Sequence, residues 1–364
     1  MPIMAVPQFH RLRIREVRPE TDDSVSVAFE VPQPLREAYR FVQGQFLTLR
    51  EQVGGEELRR SYSVCVGVPD YEDTGELRVA IKRVAGGRFS NWANEHLHAG
   101  RDIDVMTPDG RFFTPLAPAQ AKHYVGFAGG SGITPMLSLI RTILATEPGS
   151  EFTLVYGNRT VASIMFIEAL EELKNRHMNR LRLVHVLSDE GQEIELFSGL
   201  LDDERCADLL RTLVPAAGID EAFVCGPAPM MDAVERSLLA AGVARANIHI
   251  ERFGTPALPA APVAPVTDDA PRADVVLIVD GKERRLRVPM HGTAILDAGL
   301  HAGVNLPFAC KGGVCCTCRA RVLEGEVRMD RNFSLEDQEV ARGFVLTCQA
   351  HPVSPRVVIS YDER

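Results

Sequence analysis

Four cysteines near the C-terminus constrain this chain more than any other feature: Cys310-x4-Cys315-x2-Cys318, then Cys348 thirty residues further on. Any fold of this segment has to bring a tight loop and a distant strand end to one place. The spacing is that of a plant-type [2Fe–2S] cluster, in which four thiolates hold two irons. The close trio lies in Pro307-Phe-Ala-Cys310-Lys-Gly-Gly-Val-Cys315-Cys-Thr-Cys318, where Gly312 and Gly313 allow backbone N–H groups to point at sulfur. Cys348 follows an apolar run, Phe344-Val-Leu-Thr, that reads as a strand. The alternatives are a zinc site and four unrelated core thiols, although zinc sites more often use two CxxC pairs. A cluster of this kind moves single electrons, so the rest of the chain has to supply them.

A chain of 364 residues suits two or three domains. Residues 254–272 carry five prolines and little that packs, which marks a semi-rigid linker. It isolates 273–364 as a ferredoxin-like α+β module. Residues 1–117 alternate like strands separated by Gly, Pro and Asp turns (Phe9-His-Arg-Leu-Arg-Ile-Arg, Ser24-Val-Ser-Val-Ala-Phe-Glu, Gln45-Phe-Leu-Thr-Leu, Glu76-Leu-Arg-Val-Ala-Ile-Lys), with one helix at about 90–97. That pattern indicates a small antiparallel β-barrel. Within 118–253 strands alternate with helices, one of them at about 163–176, which indicates a parallel α/β sheet.

Glycines gather where such strands meet helices. Gly86-Gly87-Arg-Phe-Ser90 opens the short helix of the barrel segment; it suits a diphosphate on helix N–H groups, or a plain turn. Gly129-Gly130-Ser131-Gly132-Ile-Thr134-Pro135 follows a buried strand, with Thr134 expected as N-cap and Pro135 at the first helical position. Its spacing is not Gly-x-Gly-x-x-Gly. After the next strand, Tyr156-Gly-Asn158-Arg159 places an arginine where NADP-binding proteins hold a 2′-phosphate; a solvated arginine is the alternative. Cys225-Gly226-Pro227 is another strand end.

Taken in order, Arg60-x-Tyr62-Ser63, Gly86-Gly87-x-x-Ser90, the 129–135 turn and Cys225-Gly226-Pro227 resemble the motifs of the ferredoxin–NADP⁺ reductase superfamily, here followed by a plant-type ferredoxin. The resemblance spans essentially the whole chain. It implies an FAD-binding barrel, a nicotinamide domain and a β-grasp-like [2Fe–2S] domain. It further implies that Arg60, Gly86, Gly87 and Ser90 hold the flavin diphosphate, that Tyr62 lies against the flavin ring, and that Ser63 hydrogen-bonds near its N5. Gly129 to Pro135, with Asn158 and Arg159, would hold NADPH. Cys225, Gly226 and Pro227 would lie by the nicotinamide, and Glu251 and Phe253 would close the reductase part. Ser63, Cys225 and Glu251 are the implied catalytic residues. Segments such as Glu56-Glu-Leu-Arg-Arg and His249-Ile-Glu-Arg-Phe are similar to reductases of multicomponent monooxygenases. They imply a di-iron oxygenase component as partner, with another aromatic-ring oxygenase as the runner-up.

A formal net charge of −9 argues against nonspecific nucleic-acid or anionic-membrane binding. No apolar run approaches the roughly 18 residues of a membrane span. Met1-Pro-Ile-Met-Ala-Val-Pro has neither a basic start nor an apolar core, so a cytoplasmic location is expected, and Cys65, Cys206, Cys225 and Cys316 read as free thiols. A cofactor-free, zinc-binding interaction protein is the reading from another class; it would lack visible absorption.

Overall fold

The computed structural model describes residues 7–254 and 271–363. It divides into two compact units, one of Phe9–Glu251 and a second of the described residues before Phe9 and from Arg252 on. Most of the expected linker, residues 255–270, lies outside the described residues.

The first unit opens with six antiparallel strands: β1 (Phe9–Thr21), β2 (Ser24–Glu30), β3 (Phe46–Val53), β4 (Glu56–Ser63), β5 (Leu77–Lys82) and β6 (Asp102–Met106). Their order is β4-β3-β6-β1-β2-β5. Alternate residues share one core, among them Leu12 and Ile14, Val27 and Phe29, Leu47 and Leu49, as a period of two requires. The sheet curls until its outer strands meet. Val64 bridges Val79, and the Cys65 N–H donates to the Arg78 carbonyl at 3.0 Å.

Two helices interrupt these strands, not the single one expected. The first, α1 (Val68–Thr74), is too short to show a helical period in the sequence, but its ends are marked. Asp70 accepts the Gly67 N–H at 2.9 Å, and Gly75 closes the helix with φ of 71°. The second, α2 (Arg88–His96), starts about two residues before its expected position because Gly87 is already its N-cap.

Five parallel strands follow: β7 (His123–Gly129), β8 (Glu151–Asn158), β9 (Leu181–Leu187), β10 (Glu221–Cys225) and β11 (Ile248–Glu251), ordered β11-β10-β7-β8-β9. Helices α3 (Ile133–Thr146) and α4 (Ile167–Arg176) pack Met136, Ile140, Leu170 and Leu173 into one core. Helix α4 starts about four residues later than expected, after a 3₁₀ turn at Val161–Ser163. Helices α5 (Asp203–Thr212) and α6 (Ala228–Ala240) pack Leu209, Met231 and Val234 into another. The strand order reverses between β7 and β10. Open α/β sheets bind ligands at such a reversal, beyond the C-terminal strand ends.

The second unit runs β12 (Arg272–Val279), β13 (Lys282–Pro289), α7 (Ile295–His301), β14 (Arg319–Glu324), β15 (Val327–Met329), α8 (Asp337–Ala341), β16 (Phe344–Leu346), β17 (Ala350–Pro352) and β18 (Arg356–Ser360). Its main sheet, β13-β12-β18-β14-β16, is antiparallel except where β12 runs parallel to β18. Leu277, Ile295, Leu296 and Ile359 share the core between this sheet and α7, a β-grasp-like arrangement. The cysteine loop joins α7 to β14, and Cys348 lies between β16 and β17. Among the described residues no helix is long and apolar enough to cross a membrane.

Candidate functional site

The loop of the second unit turns sharply because Lys311, Gly313 and Cys316 adopt left-handed φ values of 51°, 80° and 56°. The Gly312 N–H then points at Cys310 Sγ, 3.3 Å away. A buried relay brings Cys348 alongside. The Tyr361 hydroxyl donates to Thr347 Oγ1 at 2.8 Å, and the Thr347 hydroxyl donates to the Cys318 carbonyl at 2.9 Å. The Gln349 amide donates to the Lys311 carbonyl at 2.9 Å and lies 3.7 Å from Cys348 Sγ.

The four thiols therefore come as two pairs, Cys310 with Cys315 and Cys318 with Cys348. Hydrogen bonding from its partner thiol holds Cys310 below the ordinary thiol range, and Cys348 likewise, while Cys315 and Cys318 are raised. Two thiolates for each of two irons is the donor set of a [2Fe–2S] cluster. Cys316 turns elsewhere: it is buried in the core, and its thiol donates to the Ser334 carbonyl at 3.5 Å.

In the first unit, β4 and β11 end side by side. The Ser63 hydroxyl donates to Glu251 Oε2 at 3.1 Å. The register of β10 sets Cys225 between Ala128 and Glu251. Burial pushes the Glu251 carboxyl up to about 8, against the pull of the Ser63 hydrogen bond. Burial, and then Glu251, pushes the Cys225 thiol well up. Burial thus favours the protonated, uncharged forms of the carboxyl and the thiol beside the Ser63 hydroxyl. On the same strand Tyr62 is half-buried with its ring 6.0 Å from that of Phe89, and Arg60 is exposed, donating to the Arg59 carbonyl at 2.7 Å. Gly86 and Gly87 lead into α2, where the buried Ser90 hydroxyl accepts the Val84 N–H at 3.1 Å. The Ser90 hydroxyl hydrogen is left free to donate to a ligand oxygen.

At the sheet reversal the two glycine turns pack backbone against backbone. A Cβ on Gly132 would lie 2.0 Å from the Cys225 carbonyl oxygen, so that position is glycine for want of space. Gly226 faces Gly129 in the same way, and Pro227 closes on Gly129. Gly130, by contrast, has open space above it, and its carbonyl accepts the Tyr156 hydroxyl at 2.9 Å. The helix cap differs from the one expected. Gly130–Gly132 is a 3₁₀ turn that feeds α3 without a break, so Gly132 is the N-cap and Thr134 and Pro135 are the second and third helical residues. The Thr134 hydroxyl donates back to the Ser131 carbonyl at 3.0 Å. At the end of β8, the amide nitrogen of Asn158 is buried beside the Tyr156 hydroxyl. The neighbouring Arg159 side chain is 68% exposed. Phe253, two residues beyond β11, is half-exposed. Sequence reasoning missed Tyr156, Thr347, Gln349 and Tyr361 as supports. Only adjacency to a motif marks the first three, and nothing marks Tyr361.

Three family descriptions match consecutive parts of the chain. They are the oxidoreductase FAD-binding domain at residues 11–113, the oxidoreductase NAD-binding domain at 127–236 and the 2Fe-2S iron-sulfur cluster binding domain at 277–353. The chain belongs to the ferredoxin–NADP⁺ reductase-like flavin oxidoreductases that carry a C-terminal [2Fe–2S] domain, and it is an electron-transfer reductase. It is 46% identical to one of the subunits of 1,2-phenylacetyl-CoA epoxidase from Escherichia coli (strain K12), over 98% of each chain. It is 34% identical to the ferredoxin reductase component of 3-ketosteroid-9-alpha-monooxygenase from Rhodococcus rhodochrous, over 96% of each chain. Among solved structures it resembles phthalate dioxygenase reductase in fold, with a TM-score of 0.57 at 24% identity over 97% of this chain and 98% of that one.

Proposed function

We propose that this chain is the reductase component of a multicomponent phenylacetyl-CoA epoxidase, oxidising NADPH and delivering electrons to a separate di-iron oxygenase component. The supporting observation is the end-to-end similarity to the E. coli epoxidase protein, 46% against 34% for the ketosteroid reductase. When bound, a flavin takes up two electrons as hydride and releases them singly, the conversion a one-electron cluster needs.

The chain's own residues bind and orient these groups. Arg60, Gly86, Gly87 and Ser90 hold the flavin diphosphate, and Tyr62 lies along the ring. The 129–135 turn and Asn158 take the dinucleotide, with Arg159 on its 2′-phosphate. Cys225, Gly226 and Pro227 border the nicotinamide. Ser63 and the protonated Glu251 keep a hydrogen-bond donor at the flavin edge without adding charge, and Phe253 closes that part of the chain. Cys310, Cys315, Cys318 and Cys348 would hold the cluster.

The test is reconstitution under NADPH with purified oxygenase components. Turnover of phenylacetyl-CoA with the epoxidase component, and none of a 3-ketosteroid with its oxygenase, is the expected result. Equal or better coupling to the ketosteroid system would reassign the partner.

A further inference from the structure

Arg159 has a counter-charge that does not come from the nicotinamide layer. Asp23 sits in the tight turn between β1 and β2 of the flavin sheet, and its Oδ2 lies 3.9 Å from Arg159 Nη2. The other carboxylate oxygen is already engaged: Oδ1 accepts the Thr21 hydroxyl at 2.8 Å and lies 3.3 Å from Lys82 Nζ. Asp23 is thus held in place with one oxygen turned toward the arginine. Two acids of the loop that follows β9 have partners of their own: Glu190 accepts the Val161 N–H at 2.9 Å and Asp189 the Ser188 hydroxyl at 2.7 Å. The same hairpin touches the segment after β8 a second time, where the half-buried Glu20 hydrogen-bonds to the backbone of Phe166 and to Ser26. Phe166 is the left-handed residue, φ 58°, from which α4 starts. A hairpin of the flavin sheet therefore borders the stretch that carries Arg159.

We infer that Asp23 is a specificity-determining residue for the nucleotide: its carboxylate offsets the Arg159 charge, so a 2′-phosphate has to compete with it. The inference rests on the proposed reading that Arg159 meets the 2′-phosphate. A dianionic phosphate beside Arg159 is repelled by Asp23, whereas NADH, with a bare ribose hydroxyl there, is indifferent to it. Both side chains are partly solvated, so the effect is a modest one.

The test is steady-state kinetics of the flavin- and cluster-loaded full chain with NADPH and with NADH at low salt. Asp23→Asn keeps the size of the side chain and an acceptor for Thr21. It is expected to lower KM for NADPH about three- to tenfold while leaving kcat and the NADH parameters unchanged, and added salt is expected to narrow that gap. An unchanged NADPH/NADH ratio, an equal shift for both nucleotides or a weakened NADPH affinity would overturn the inference. Arg159→Ala separates the role of the arginine from that of its counter-charge. If it leaves the ratio unchanged, the reading of Arg159 fails and this inference with it. If it costs NADPH selectively while Asp23→Asn does nothing, Asp23 alone is misassigned.

Discussion

Glu251 makes a demand of its own on the fold, because a carboxyl held up to about 8 is costly to ionise where it sits. Its folded pKa lies above its unfolded value, so the folded state binds the extra proton. The penalty is absent below the unfolded pKa and grows as pH rises toward the folded one. Glu251→Gln is therefore expected to be more heat-stable than the parent chain near pH 8, with the difference closing near pH 5. Thermal unfolding at the two pH values checks this, and a pH-independent difference would show that burial of the charge is not its cause. At the cluster loop, Cys315 and Cys316 are neighbours with opposite orientations. Cys316→Ser is expected to keep full iron content and the visible spectrum, whereas Cys315→Ser loses both. The reverse outcome in an iron assay would mean that the ligand register is off by one.

Among the elements, the two glycine turns and the Thr347 relay are the joints on which the sites depend. Gly132→Ala places a Cβ against a carbonyl oxygen, a clash no rotamer can relieve, and is expected to destabilise the flavin–nicotinamide unit by about 1–3 kcal/mol while leaving the cluster spectrum intact. Thr347→Val removes the acceptor of the Tyr361 hydroxyl and one of two donors to the Cys318 carbonyl, which keeps the residue-347 N–H at 3.2 Å. It is expected to cost about 1–3 kcal/mol and to speed cluster loss on warming, which bleaching of the visible band would follow. Much of this scaffold is legible from residue patterns. Strands with a period of two and strand-then-glycine punctuation set out the sheets, and the cysteine spacing alone locates the loop between α7 and β14. What escapes has physical reasons. The seven residues of α1 span barely two turns, too few for a periodic signal. The start of α3 differs from expectation because Thr-Pro looks like a cap, while the chain enters that helix through a 3₁₀ turn of glycines. The Asp23–Arg159 and Tyr361–Thr347 contacts join positions far apart in sequence, and no local pattern encodes them.

For the whole molecule, a nicotinamide–flavin unit and a cluster unit follow one another along one chain, and in the proposed function electrons leave through the second. NADPH oxidation with an artificial acceptor and delivery to an oxygenase are then separable functions of the two units. The most direct measurement compares the full chain with one ending at Phe253, each mixed with purified phenylacetyl-CoA oxygenase, following epoxide formed per NADPH consumed. The full chain is expected to couple the two. The shortened chain is expected to reduce an artificial acceptor with NADPH yet form no epoxide. Epoxide formation by the shortened chain at the rate of the full one would contradict this function, because electrons would then reach the oxygenase without the four cysteines.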